Sequence, residues 1–230
     1  MLITLENNIL HKVPNFKIGM TFHRNIVIDE SPKMLKGRLQ FFQEKIRTDL
    51  LNQTIFDYSG VSEWQDTFKQ LGIDPKRYRP SHEALFHRIG KGNDLPFIHS
   101  AADLNNFFSL QYEIPIGIYD LNTLDDYIKI SLGTEGDSFE GLNGRTNNMY
   151  KKPISYDKNG AFGSPIVDSK QSKTDRPTTD VVQIFYVRPS MELNETNKLL
   201  KAASKMFTQL HSGDSVTYLL HKNQQEIITP

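Results

Sequence analysis

Val181-Val182-Gln183-Ile184-Phe185-Tyr186-Val187 decides the fold. Six apolar residues in seven, β-branched and aromatic, form a run too short for a globular helix and read as a buried strand. On its C-terminal side Asn194 is placed as the cap of an amphipathic helix carrying Leu199, Ala203, Met206 and Leu210. Val216 to Leu220 then returns as a last strand. On its N-terminal side Lys170 to Pro177 is polar and unpatterned and is expected to be mobile. Between Gly133 and Gly163 lie six of the fourteen glycines, mixed with Asn, Asp and Ser, which predicts hairpins and loops.

Further out, Ile128 to Leu132 and Ile114 to Tyr119 read as strands, and Ala101 to Leu110 as a helix with Leu104, Phe107, Phe108 and Leu110 inward. Ser81 opens a short helix that Gly90 and Gly92 end, and Ser62 to Leu71 is a helix that Gly72 terminates. Ser31-Pro32 starts a helix whose apolar face is Leu35, Leu39, Phe42, Ile46 and Leu50. Phe16-Lys17-Ile18 and Ile26-Val27-Ile28 are short strand candidates. No internal repeat is visible. Helices and strands interleave without clean βαβ alternation, so the fold class is mixed α/β over one unit, residues 1–230.

The 230 residues carry 27 basic and 27 acidic side chains, a formal net charge of zero. A generic nucleic-acid binder carries an excess of Lys and Arg, and this chain has none to offer outside a local patch. The absence of cysteine excludes disulfides, thiol nucleophiles, Fe–S clusters and Cys-ligated zinc. Met1 to Phe16 lacks a basic segment leading into an apolar run, and no apolar stretch approaches the ~20 residues of a membrane span. A cytoplasmic protein without membrane association is expected.

Several motifs fail on geometry. His82 and His87 lie five residues apart, roughly 140° round a helix, where the zincin pair needs a spacing of four. A solvated or locally bonded histidine pair is the simpler reading. Gly133-Thr134-Glu135-Gly136 and Gly141-Leu142-Asn143-Gly144 match no phosphate loop, and Gly160-Ala161-Phe162-Gly163-Ser164-Pro165 is no nucleophile elbow. The seven histidines show no ligand spacing, so neither a metal nor a cofactor is expected. Arg77 through Asp120 is less easily dismissed. There Asn105 and Asn106 sit among Leu104, Phe107, Phe108 and Leu110, and a buried polar group must find a partner or cost ~1–3 kcal/mol.

Leu71-Gly72-Ile73-Asp74-Pro75 and Tyr78-Arg79-Pro80-Ser81-His82-Glu83-Ala84-Leu85 are followed in order by Leu95 to His99, Asp103 to Leu110 and Pro115 to Asp120. Gly133 to Phe139, Ser164 to Ser169 and Thr179 to Tyr186 come next. Together they resemble free-standing proteins of the B3/B4 domain family, named after two modules of the bacterial phenylalanyl-tRNA synthetase β subunit. The resemblance runs from about Phe16 to the C-terminus. It implies three layers, α/β/α, around a mixed sheet. It also divides the chain into an N-terminal strand and helix part (15–70), a B3-like part (71–132) and a B4-like part (133–230). The implied activity is hydrolysis of the ester of a mischarged tRNA in trans, as an aminoacyl-tRNA deacylase. Where the synthetase has its editing histidine this chain has Gly117, and Gln183 stands near the place of the glutamate that reads the tyrosine hydroxyl. His99 replaces a common asparagine.

From this resemblance Asn106, Glu113, Gly117 and Asp120 are expected to bracket an aminoacyl group from one side, and Ser164 and Asp168 from the other. Gly117 would leave room for the ligand, and His99 is the candidate for ordering the attacking water. Arg77 and Arg79 are the candidate RNA contacts. Clustering of these with Lys33, Lys36, Arg38 and Lys76 on one rim would favour a tRNA 3′ end over a small amino-acid derivative. A non-catalytic module that binds tRNA or an amino-acid derivative is the alternative.

Overall fold

The computed structural model describes residues 1–229. The chain opens with β1 (Leu2–Leu5), a one-turn α1 (Asn7–Leu10) and β2 (Lys17–Arg24). The helices α2 (Lys33–Asp49), α3 (Ser59–Leu71), α4 (Ser81–Gly90) and α5 (Ser100–Tyr112) follow. Then come β3 (Ile116–Asp120), β4 (Tyr127–Leu132), β5 (Ser138–Glu140), β6 (Thr146–Asn148), β7 (Pro153–Asp157), β8 (Gly160–Gly163) and β9 (Val181–Val187). The chain closes with α5's long counterpart α6 (Leu193–His211), β10 (Asp214–Leu220) and β11 (Glu226–Ile228).

Strand β9 lies inside an antiparallel sheet of order β10-β2-β9-β3. A second sheet, order β11-β1-β4-β7-β8, is mixed, because β1 pairs parallel with β4 and antiparallel with β11. The expected mixed α/β class with a mixed sheet is therefore present. On one face of the antiparallel sheet lie α2, α4, α5 and α6, joined to it by a core that includes Leu35, Phe86, Leu104, Phe185 and Phe207. On the other lies the mixed sheet with α1 and α3, around Ile18, Met20, Trp64, Phe68, Ile130 and Ile184. Trp64 meets Phe16, Phe68 and Tyr186 edge-on, at centroid distances of 6.2, 5.8 and 6.4 Å. Among the described residues no helix is long and apolar enough to cross a membrane.

Local expectations hold where periodicity is strong. The predicted face of α2 is its inward face, and Gly72 ends α3 in the left-handed conformation at φ 86°. Elsewhere the tertiary structure decides. Helix α3 starts three residues early because the Glu113 carboxylate, from the end of α5, accepts the Gly60 amide at 2.7 Å. Ile26 to Ile28 is no strand: Asn25 turns left-handed at φ 56° and ends β2, and Ile26 and Ile28 become core side chains. Ser31 caps nothing, but donates to Asp103 at 2.5 Å, and Asn194 lies inside α6, whose cap position is Glu192. The segment from Lys170 to Pro177 is fastened: Ser172 and Thr174 are buried, and the Ser172 carbonyl accepts the Asp120 amide at 3.0 Å. His82 is wholly buried, while His87 is the member of the pair that meets a partner, Glu83 at 3.3 Å.

Candidate functional site

Helix α5 enters from an extended His99, whose Nδ1 accepts the Ala102 amide at 3.2 Å. Asp103 returns the arrangement by accepting the Ile98 amide at 2.9 Å. Ser100 exchanges bonds with Asp29 and donates its hydroxyl to Nε2 of His211 at 2.9 Å, since His211 Nδ1 donates to the Phe207 carbonyl. This first turn is thus tied to the segment before α2, and the face carrying Ala102, Asn105 and Asn106 is fixed.

Opposite it, the Ser164 hydroxyl accepts the amides of Ile166 and Val167 at 3.2 and 3.0 Å, a side-chain turn that reverses the chain after β8. Asp168 emerges from that turn, and Lys173, Thr174 and Asp175 run on beside the edge strand β3. Between these walls lies a cavity of about 370 Å³. Its polar lining is His99, Asn105, Asn106, Asp168, Lys173, Thr174 and Asp175, and its apolar lining is Ile98, Ala102, Ile118 and Leu142.

Asp168 is the group with chemistry. It accepts the Tyr119 hydroxyl at 2.5 Å. Burial pushes its carboxyl up to about 7, against the Tyr119 hydroxyl and the Ile118 amide, which pull it down. Burial and the neighbouring Asp168 charge hold the Tyr119 phenol well above its ordinary value, so it stays a donor. A carboxyl titrating near 7 inside a cavity can take and return a proton at neutral pH. Asn105 is held by a buried chain: His23 bonds Gln183 at 3.0 Å, Gln183 donates to Asn105 at 3.1 Å, and Asn105 donates to the Ile116 carbonyl at 2.8 Å.

His99, Asn106 and Asp168 line the cavity together, and the other expected residues are absent from its lining. His99 lines the cavity with both ring nitrogens engaged, Nδ1 by Ala102 and Nε2 by the Thr174 carbonyl at 3.2 Å. It pins the cavity wall to α5, and its lone pair is already in use. Glu113 sits at the far end of α5, bonded to Ser59 and Gly60. The space beside Gly117 is filled: a methyl group there, or at Gly163, would collide with the Tyr119 phenol that lies between them. Asp120 accepts the Thr178 hydroxyl at 2.7 Å, and Ser164 is spent on its turn.

The basic candidates meet partners away from the cavity lining. Arg77 lies over the Tyr78 ring, Arg79 is 3.6 Å from Glu83, Lys36 lies over Phe97, and Arg38 reaches Met206. None lines the cavity, where Lys173 is the sole Lys or Arg among the lining residues. The sequence reading missed Lys173 and Thr174 because their segment looked unstructured. It missed Asn105 as a site residue, although a polar residue in an apolar helix and another, Gln183, in an apolar strand were visible signals.

The B3/4 domain family model matches residues 63–217. An uncharacterized protein of Bacillus subtilis (strain 168), YhzB, is 33% identical over 224 residues, covering 96% of this chain and 100% of that protein. Among solved structures, an N-terminal fragment of the phenylalanyl-tRNA synthetase β-subunit from Pyrococcus horikoshii aligns at a TM-score of 0.46 and 13% identity. That alignment covers 99% of this chain and 54% of the fragment, so the chain spans about half of its length. Family model and relative agree over most of the sequence: the chain belongs to the B3/4 domain family.

Proposed function

We propose that the cavity between α5 and the 168–175 segment holds the aminoacyl end of a mischarged tRNA and that Asp168 is the general base for hydrolysis of its ester. The observation that carries this reading is the Asp168 carboxyl, enclosed in the cavity wall, bonded to Tyr119 and pushed up to about 7 by burial. Water attacks the ester carbonyl carbon as the carboxylate accepts its proton. The carbon–oxygen bond to the ribose then breaks, and the proton passes to the leaving hydroxyl. Asn106, which lines the cavity and whose side chain has no protein partner among the described residues, would donate to the developing oxyanion. Tyr119 is a positioning residue for Asp168.

The test is release of amino acid from a panel of mischarged tRNAs. Asp168→Asn should lower kcat by about 10²–10⁴-fold and remove the limb near pH 7 from the rate profile. Turnover with one panel member that survives this substitution unchanged would overturn the assignment of Asp168. A second reading rests on the charge of the lining, where Asp168 and Asp175 outnumber Lys173 and no arginine is present. A small cationic amino-acid derivative suits such a rim better than an RNA backbone does. Binding of an amino-acid ester or amide with no turnover of any tRNA in the panel would select it.

A further inference from the structure

The two larger sheets end in β10 and β3 and in β11 and β8. Strand β3 is covered by the 168–175 segment, where Lys173 bridges Tyr119 and the Ser172 carbonyl accepts the Asp120 amide at 3.0 Å. The same segment covers β8, with the Ser169 amide on the Phe162 carbonyl at 3.0 Å. Strand β11 is three residues long. Strand β10 is different. Its seven residues pair with β2 in unbroken register, and among the described residues no other segment exchanges a backbone hydrogen bond with them. With a single neighbour, an antiparallel strand turns alternate pairs of backbone groups outward. Proteins guard such an edge with lysine, proline, a bulge or a covering loop. Asp214 to Leu220 contains no lysine, arginine, proline or glycine, and its register carries no bulge.

The side chains add an apolar strip to the open backbone. Tyr218 meets Phe22 edge-on at 5.9 Å, and Val216, the next residue on that side of the strand, is 48% exposed. These three line a cavity of about 180 Å³ along the edge. Charge is divided between the two ends: Asp214 opens the strand and Lys222 lies two residues past its close. Neither is within ion-pairing distance of an opposite charge among the described residues. Thr217 is the middle residue. A two-fold axis there sets Val216 opposite the partner's Tyr218, and Asp214 opposite the partner's Leu220 with the Lys222 turn beyond it. The chain's net charge of zero adds no long-range repulsion between copies.

We propose that β10 is a self-docking edge: two copies of this chain pair through it, antiparallel about Thr217, and join their four-stranded sheets into one continuous sheet. Main-chain hydrogen bonds supply the attraction, as in other strand additions. The partner is a second copy because the strand complements its own reverse in apolar residues and in charge, the requirement of an interface that meets itself. The surface depends on neither the α5 cavity nor the reaction proposed there.

Sedimentation of the full chain from about 1 μM to about 1 mM, with hydrogen exchange measured at both ends of that range, tests it. The mass should rise from monomer to dimer and stop there, because a two-fold pairing is closed. Exchange of the Asp214–Leu220 amides should slow at the high concentration, while that of β3 should not change. Val216→Lys, an exposed change, should weaken the dimer about tenfold and leave the thermal midpoint of the dilute monomer unaltered. Asp214→Lys should weaken it several-fold, and adding Lys222→Asp should restore it. Any of four results would overturn the proposal: monomer throughout the range, assembly that grows past the dimer, protection confined to another segment, or a dimer indifferent to both Val216→Lys and Asp214→Lys.

Discussion

Strand β9 shows one side to each core, and the two sides differ in kind. Towards the mixed sheet it presents Val182, Ile184 and Tyr186, and its neighbour β2 adds Ile18, Met20 and Phe22. Towards the helices it presents Val181, Gln183 and Phe185, and β2 adds Gly19, Thr21 and His23. The first surface is held by apolar burial, worth about 1.5–3 kcal/mol for each large side chain. The second carries a wholly buried polar chain, His23 to Gln183 to Asn105, which ends at the α5 cavity. His23 stacks on Phe207 at 4.0 Å, and Phe207 meets His211 at 4.2 Å. One surface holds the molecule together; the other spends packing on hydrogen bonds that aim a side chain into a cavity. The candidate site lies on the polar side, where a unique arrangement of donors and acceptors is specified.

Acidification should separate the two surfaces most strongly. Burial lowers His23 and His211 to about 4 from an ordinary 6.5. Between those values the unfolded chain binds protons that the folded chain refuses, so stability is full above about 6.5 and is lost as pH falls towards 4. The loss should be on the order of 3 kcal/mol per histidine, seen in urea unfolding across a pH series. His82, lowered to about 3 by burial, acts in the same direction. Asp168 opposes them, because its raised folded value makes its share of stability greatest at low pH and lost as pH rises through about 7. Asp168→Asn should therefore steepen the rise with pH; an unchanged profile would refute the raised value of this carboxyl.

Next in size is Ile184→Ala on the apolar surface, expected to cost about 2–5 kcal/mol by denaturant unfolding. Its pH dependence should match the wild type, since no titrating group is touched. Gln183→Leu on the polar surface should cost less, about 1–3 kcal/mol, by leaving His23 Nε2 and Asn105 Oδ1 unpartnered. It should also change ligand affinity at the α5 cavity, which Ile184→Ala should not. A larger loss from Gln183→Leu than from Ile184→Ala would invert the comparison. The smallest effect belongs to Thr21→Val. The Thr21 hydroxyl is buried without a partner, so a methyl group of the same shape should leave stability within about 1 kcal/mol of the wild type or raise it.

Legibility followed the same division. The helix faces and the β9 run were readable because apolar spacing reports burial directly: Leu35, Leu39, Ile46 and all seven residues of β9 are buried. Strand β2 was read as three residues and is eight long, because Gly19, Thr21 and His23 interrupt its apolar run on the polar side. Gly19 is needed there, since a Cβ would collide with Leu200 of α6, yet in the sequence it looks like a break. Strands β1 and β11 went unread because each is short and gains its pairing from the opposite end of the chain. Of the candidate site, Asn106, His99 and Asp168 were named from the sequence and share one cavity. Glu113, Gly117, Asp120 and Ser164 were named with them, and each serves a cap, a close approach or a turn.

The amino-acid sequence determined the mixed α/β class, the main helices and the resemblance that the family model matches, since these depend on composition, spacing and order along the chain. Only the tertiary structure decided which polar residues meet. Asp168 acquires its raised proton affinity from burial, against the pull of a tyrosine 49 positions earlier, and Asn105 is held at the cavity by Gln183, 78 positions later. Proton affinity and charge balance are properties of an environment, and that environment is assembled from segments far apart in the chain.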